Sequence, residues 1–554
     1  MRTAIVIFLL ALLAGTAGAV QIVAFCPDPY LSGEPDEYVV LDGAGSLHGI
    51  EISDGEGSVR FPEGSVIDGR IVVAREAAGY VRAHGRLPDY EVVDTDAGVP
   101  DMERRGDFRL ANQRDSLTLL VGGAVVQEVG WPGDVVPRQG QVHTLVDGRW
   151  DPRPFFIGQS DFAPQTFENV TVTLFVSPDC SYEVISDAVT SARESIDVNV
   201  YEFTHPGIAG MLTGAAGRGV DVSILVEGGP VGGISAEGKG VARMLAGHGV
   251  PVMMMETAGD VHARYRFDHA KYMVVDGRSV LVMSENFKES GIPEAGKRGN
   301  RGWGAWVQDT GVAGYFAEVY RADSTGGDVV PAPQDGNVAA TGGGNYEVRF
   351  SPETVHGARV TPVIAPETSD LVRQMIAGAG ERVLIEQAYI TNSTAGGPNR
   401  YLTEAINASR RGVSVQVLLD SAWFNVEGEK DNDEMAAWIN EFARSEGLPI
   451  EARCVDLAAA NLEKVHTKGV VVDDRSVLVS SINWNDNSPD FNREAGVIVE
   501  HPAAAAYFAR VFAADWEAGT RVGGEAGFDY RIVAAVGVVI LFAALYVARR
   551  IMRW

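Results

Sequence analysis

One short pattern occurs twice in this chain. His269-Ala-Lys271 runs to Asp276, and His466-Thr-Lys468 runs to Asp473. Each copy is followed at the same offset by a hydroxyl and an amide, Ser284 and Asn286 in the first, Ser481 and Asn483 in the second. A pattern repeated with every offset intact constrains the fold to two equivalent halves. Around the two copies lie β-branched runs, Tyr272-Met-Val-Val-Asp-Gly-Arg-Ser-Val-Leu-Val and Gly469-Val-Val-Val-Asp-Asp-Arg-Ser-Val-Leu-Val. Their Asp-Gly and Asp-Asp interruptions predict hairpins. Two-residue turns at Gly277-Arg278 and Asp474-Arg475 would set Lys271 opposite Ser284 and His269 opposite Asn286, and likewise Lys468 opposite Ser481 and His466 opposite Asn483. Side chains alternate along a strand, so each His and Lys share a face that the cross-strand Ser and Asn join. Asp276 and Asp473 fall at the turns on the opposite parity, which suits a structural role.

An imidazole, an ammonium, a hydroxyl and an amide on one face suit a phosphodiester. The imidazole serves as nucleophile or general acid, and the lysine and polar donors stabilise charge on the phosphoryl oxygens. One hairpin supplies half of a two-histidine mechanism. Two facing hairpins supply one imidazole to attack phosphorus and another to protonate the leaving alkoxide. Water or another alcohol then resolves the phosphohistidine, and no metal or other cofactor is needed.

With these motifs the chain resembles the phospholipase D superfamily, whose duplicated H-x-K-x4-D followed by G-S-x-N is matched almost in full. The likeness spans residues 171–518. Ser177-Pro178 opens one half and Ser351-Pro352 the other, and both read strand, helix, strand, helix, strand, then the catalytic hairpin. The resemblance implies duplicated α/β sandwich lobes forming one pseudo-twofold catalytic unit. It implies catalysis by His269, Lys271, His466 and Lys468, with Ser284, Asn286, Ser481 and Asn483 in support. Two departures stand out. The family's glycine is Met283 in one copy and Ser480 in the other. The downstream carboxylate that orients each histidine is present as Glu494, expected to hold His466, but Gly302 occupies the matching position. His269 then lacks its acid, with Asp268, Glu285 or Asp309 as substitutes, and the roles of the two histidines stay open.

Ahead of this unit, residues 20–150 alternate short β-rich runs with turns, which implies a β-sandwich. The order of E-Y-V-x-L, L-x-G-x-x-I-S-D-G, a strand ending Val-Val-Ala, then D-S-L-T-L-L and V-x-x-V-x-W is similar to a lamin-tail domain. That likeness implies an immunoglobulin-like accessory that binds a surface partner or acts as a spacer. The remaining boundaries follow from composition: halves at 171–322 and 346–518, with Gly/Pro-rich linkers at 323–345 and 519–531.

Both termini speak about location. Residues 1–19 have the charged start, short apolar core and Ala-Gly-Ala end of a secretory signal. Residues 532–548 are an unbroken apolar run followed by arginines in 549–554, which predicts one transmembrane helix with a cytoplasmic tail and an extracytoplasmic body. A net charge of −28 repels nucleic acid and anionic headgroups overall, so either substrate must be drawn by local charge in the cleft. Three cysteines exclude a disulfide-dense module and leave room for one bridge, such as Cys180 to Cys454. The expectation is a membrane-anchored phosphodiesterase. Tethering favours phospholipid headgroups as substrate, a lamin-tail neighbour suits a cell-surface nuclease, and a non-catalytic scaffold with a relic site is the third reading.

Overall fold

Sixteen strands from both halves join into one continuous sheet. A computed structural model describes residues 20–338, 343–427 and 431–521. At the centre, Phe167–Ser177 of the first half pairs antiparallel with Glu353–Ala365 of the second. Outward from Phe167–Ser177 run Gly302–Gln308, Ser279–Met283, Lys271–Val275, Ser195–Val200, Asp221–Glu227, Val252–Met255 and Val329–Pro331. Outward from Glu353–Ala365 run, in matching order, Glu494–Glu500, Ser476–Ser480, Lys468–Val472, Arg382–Gln387, Ser414–Leu419, Ile450–Val455 and Gly519–Arg521.

The sheet is covered on both faces, so its central strands read as unbroken apolar runs rather than alternating ones. Every residue of Lys271–Val275, Ser279–Met283, Lys468–Val472 and Ser476–Ser480 is buried. One face carries separate helical layers for the two halves, each with its own core. The other carries the last helix of each half, Thr310–Asp323 and Pro502–Glu517, over a single core drawn from both halves. Each of these helices is capped by the residue before it. Asp309 accepts from the amides of Gly311 and Val312, and His501 accepts from that of Ala503.

Three expectations are corrected. The hairpin turns hold three residues, not two. Tyr272 pairs with Val282 and Val275 with Ser279, so Lys271 lies opposite Met283 rather than Ser284. Gly469 pairs with Val479 and Val472 with Ser476, setting Lys468 opposite Ser480. The extra residue is accommodated because Asp276 and Gly277 in one turn, and Asp473 and Asp474 in the other, adopt positive φ. Next, the two linkers are partly ordered as strands. Val329–Pro331 adds to the edge of Val252–Met255, and Gly519–Arg521 adds to Ile450–Val455. Lastly, Cys26, Cys180 and Cys454 are all buried free thiols; Cys180 and Cys454 sit in the separate cores of the two halves and cannot pair.

Two buried arginines lock the halves together in matching fashion. Arg301 donates to Asp179 of its own half (2.7 Å) and to Asp515 on the last helix of the other (2.6 Å). Arg493 donates to Glu367 of its own half (2.9 Å) and to Asp323 on the last helix of the first (3.0 Å). All six side chains are essentially inaccessible to water.

The N-terminal module has two sheets. Ile50–Ser53, Gly57–Arg60, Glu103–Gly106, Asp115–Val121 and Ala124–Trp131 form one; Gln21–Cys26, Tyr38–Ser46, Val66–Glu76, Tyr90–Val93 and Gln141–Val146 are the main strands of the other. Both contribute to one core around Phe25, Leu41, Ile52, Leu119 and Trp131. Within the second sheet Val66–Glu76 and Tyr90–Val93 run parallel, joined through helix Ala77–His84, a crossover the sequence reading lacked. That sheet also continues past residue 150, where Phe155–Phe156 pairs with Gln141–Val146. The module rests on the segment leading to His269: Tyr30 stacks on His262 at 3.8 Å and Arg82 pairs with Asp260 at 2.9 Å. Ser160 accepts from Arg493 (2.6 Å). The expected signal segment 1–19, membrane helix 532–548 and tail 549–554 lie outside the described residues. Among the described residues no helix is long and apolar enough to cross a membrane.

Removing one partner of a buried ion pair strands the other charge. Asp515→Ala is therefore expected to destabilise the protein by about 3–5 kcal/mol, seen as a lowered melting temperature. A change below about 1 kcal/mol would show that Arg301 does not depend on it.

Candidate active site

Both histidines sit at the same edge of the sheet, and the topology explains why. Lys271–Val275 runs antiparallel to Ser195–Val200, with Val200 beside Lys271, so His269 lies just beyond the C-terminal end of that parallel strand. Lys468 beside Gln387 places His466 equivalently. The backbones then cross the seam between halves. The His269 amide donates to the Arg493 carbonyl and the His466 amide to the Arg301 carbonyl, both at 2.8 Å. Each histidine is thus fixed against the other half's Asn-Arg-Gly/Glu segment.

This crossing decides which carboxylate meets which imidazole, and it overturns the pairing expected from sequence. Glu494 holds His269, with Oε2 at 2.8 Å from Nδ1, and does not hold His466. Its carboxylate also accepts from Ser481 (2.5 Å), Asn492 (3.0 Å) and Ser488. Burial pushes the Glu494 carboxyl up, but His269, Lys271 and Ser481 outweigh it and hold it below the ordinary range. Burial pushes His269 down to about 4, against the pull of Glu494 and helped by Lys271. A neutral imidazole facing an ionised carboxylate donates through Nδ1 and leaves Nε2 as a free base.

His466 is the residue without the family's acid, and Glu285 takes that place beside the ring without a hydrogen bond to Nδ1. Glu285 Oε2 lies 3.4 Å from His466 Nδ1 and accepts from Asn300 at 3.0 Å. The substitution at residue 302 makes room for it, since a Cβ there would sit 2.4 Å from Glu285 Cγ. Burial pushes the Glu285 carboxyl up to about 7, while Lys464 and Lys468 pull it back. Burial first, then Lys468 and Lys464, drive His466 well below the usual imidazole value. Of the other proposed substitutes, Asp309 is a helix cap, and Asp268 is a buried carboxyl raised by desolvation and by Asp323 and Glu227.

Lys271 and Lys468 are buried, and each ammonium donates to the carbonyl of its own histidine at 2.7 Å. Burial lowers Lys271 to about 8, and burial, then Lys271, hold Lys468 well below its ordinary value. Ser284 and Ser481 are taken up by support: their hydroxyls accept from the amides of Trp303 (3.1 Å) and Ala495 (3.0 Å). Asn286 and Asn483 are buried, and the Oδ1 of each has no hydrogen-bond partner. Asp276 accepts from the amides of Arg193, Glu194 and Ser195, and Asp473 from those of Gly380, Glu381 and Arg382. In both, burial opposes ionisation but the amides win and hold the carboxyl low, the structural role the turn parity implies. Trp484 is fully buried against Tyr401 and belongs to the core. Tyr201 packs edge-on to the His269 ring at 4.8 Å.

Several neighbours escaped the sequence reading. Glu202 accepts from Asn286 (3.3 Å) and pairs with Lys288 (3.1 Å); in the other half Asn485 donates to Tyr389 (3.0 Å). Lys288 and Asn485 stand two residues beyond Asn286 and Asn483, so the repeat itself held that signal. Glu227 accepts from the amide before His269 (2.5 Å), and Asp420 from the amide before His466 (2.6 Å). A metal-sized group of acids, Glu91, Asp94 and Asp101, lies in the N-terminal module, where Glu91 is already bonded to Ala77, Thr95 and Asp96.

The family described as cardiolipin synthase, PLD-like domain, matches residues 185–323 and 372–516, one stretch in each half and together just over half the chain. Cardiolipin synthase A of Cronobacter sakazakii is 24% identical over 360 residues, covering 61% of this chain and 67% of that protein. Among solved structures, the phosphatidylserine synthase of Haemophilus influenzae aligns with a TM-score of 0.48 at 12% identity, over 64% of this chain and 90% of its own. A phospholipase D family member from Salmonella typhimurium aligns at 0.25 and 21%, over 31% and 99%. With both halves matched and both histidine motifs intact, the chain belongs to the phospholipase D superfamily and is an enzyme of the phospholipase D type.

Proposed function

We propose that this protein is a membrane-anchored, extracytoplasmic phosphodiesterase acting on phospholipid headgroups by hydrolysis or transphosphatidylation. The observation that carries the chemistry is the asymmetry of the two histidines. His269 has its tautomer set by Glu494 and its Nε2 free, as a nucleophile requires. His466 shares its surroundings with Glu285, whose carboxyl near 7 keeps a proton available at neutral pH.

In the first step Nε2 of His269 attacks phosphorus, the bond to the headgroup alkoxide breaks, and neutral His466 passes its Nε2 proton to that oxygen while its Nδ1 takes up the proton carried by Glu285; the second step returns that proton to Glu285. In the second, His466 takes a proton from water or an alcohol, whose oxygen attacks phosphorus and releases His269. Lys271 and Lys468, with the amides of Asn286 and Asn483, stabilise the phosphoryl oxygens in both transition states. The lipid reading is supported by the family description and the name of the Cronobacter relative, and by the apolar run at 532–548, which would hold the cleft beside a bilayer. The order of strand motifs in the N-terminal module supports a lamin-tail-like, immunoglobulin-type accessory, and its contacts with Asp260 and His262 suit a second task as a brace for the His269 segment.

Two experiments follow. The full chain in detergent, without added metal, should release headgroups from phosphatidylcholine–phosphatidylglycerol vesicles, and His466→Ala should cut this by about 100-fold or more. Cleavage of single-stranded DNA without headgroup release would make the protein a nuclease, and neither activity would favour the relic scaffold. Separately, Glu285→Ile should lower turnover by about tenfold or more, and Gly302→Glu alone should crowd Glu285 and lower the melting temperature. The double variant, which copies the Ile482 and Glu494 arrangement of the other half, should recover both. Failure of the double variant to recover turnover would contradict the stand-in role.

A further inference from the structure

The strands Asp221–Glu227 and Ser414–Leu419 are equivalents in the repeat, and the segments that follow them leave the sheet at the edge where the histidines sit. Each is tied to the histidine beside it in the same way, through Glu227 to the amide of Asp268 and through Asp420 to the amide of Val465. The first segment is tied again where the Val231 amide donates to the Tyr201 hydroxyl (2.8 Å), whose ring packs on His269. The second is tied again through Phe424, which lies 5.9 Å from the ammonium of Lys464, a residue that acts electrostatically on both Glu285 and His466.

These two segments carry apolar side chains outward into solvent. Val231 is 83% exposed, the highest value among the exposed large hydrophobic residues described, and Trp423 and Phe424, at 68% and 52%, are the exposed aromatics among them. Single exposed apolar residues need no explanation, but two apolar tips at repeat-equivalent places, each on a segment tied beside a histidine, do. We infer that Val231 and Trp423-Phe424 form a paired rim that seats the cleft on a lipid bilayer surface. Tryptophan favours the headgroup boundary, and both tips stand at the sheet edge where the two histidines sit. At a net charge of −28 the protein gains no general attraction to an anionic membrane, so even a tethered body needs local apolar contact to seat its site on the surface.

The rim deepens the phospholipid reading and rests on it. The test uses the full chain reconstituted in phosphatidylcholine–phosphatidylglycerol vesicles. Turnover of bilayer lipid is compared with turnover of a water-soluble nitrophenyl phosphodiester, for the wild type and for Val231→Ser/Trp423→Ser. The double variant should lose bilayer turnover by about tenfold or more and keep the soluble reaction within about twofold. Because the three native cysteines are buried, an environment-sensitive dye can be placed selectively on Val231→Cys, and its emission should shift to the blue in vesicles. Equal loss on both substrates, or an unshifted dye, would overturn the rim. A blue-shifted dye on Val231→Cys together with no headgroup release by the wild type would remove the lipid substrate and leave the rim standing.

Discussion

Everything at this site depends on a tripeptide that reaches across the seam. In Asn492-Arg493-Glu494 the arginine carbonyl fixes the His269 amide, its guanidinium pins the last helix of the first half, and the next residue delivers a carboxylate to the His269 ring. Asn300-Arg301-Gly302 repeats the first two contacts on His466. Locking the halves and orienting the imidazoles are therefore one structural act. Neither half alone could hold a histidine ready, because each lacks the carbonyl and the acid that the other supplies.

The two halves differ where the chemistry needs them to differ. Glu494 is saturated by four donors and stays ionised, which suits a partner whose work is to fix a tautomer. Glu285 has fewer partners, stands farther from its imidazole and is lifted toward neutrality by burial. A carboxylate arriving from the Ser-x-Asn segment rather than from the Asn-Arg-x segment thus gives two otherwise equivalent imidazoles unlike partners, one held ionised and one lifted toward neutrality. Such divergence within a symmetric pair is what acid and base roles require.

Much of this was legible in the residues. The duplicated motif gave the two halves, the hairpins, the convergence of His269, Lys271, His466 and Lys468, and the structural roles of Asp276 and Asp473. The turn length is hidden because the residue pattern does not mark Asp276 and Asp473 for positive φ, and one residue of slip shifts every cross-strand pair. The exchange of carboxylates could not be read from spacing, since Glu494 lies nearer His466 in sequence, and only the topology of the seam sends it to His269. Glu285 is among the candidates the residues offer for His269, and the same crossing sends it to His466. The edge strands Val329–Pro331 and Gly519–Arg521 were hidden because each lies in or beside a Gly-rich stretch that reads as linker and pairs only after the last helix turns the chain back.

The assignment of His269 as nucleophile is the claim on which the account turns. A phosphodiester with a nitrophenolate leaving group needs no acid for the first step, so His466→Ala should still be phosphorylated and should then stall for want of a base. Mass-spectrometric mapping of the trapped protein should place the phosphoryl group on His269, with no adduct in His269→Ala. An adduct on His466 in the His269→Ala protein would reverse the roles and contradict the account.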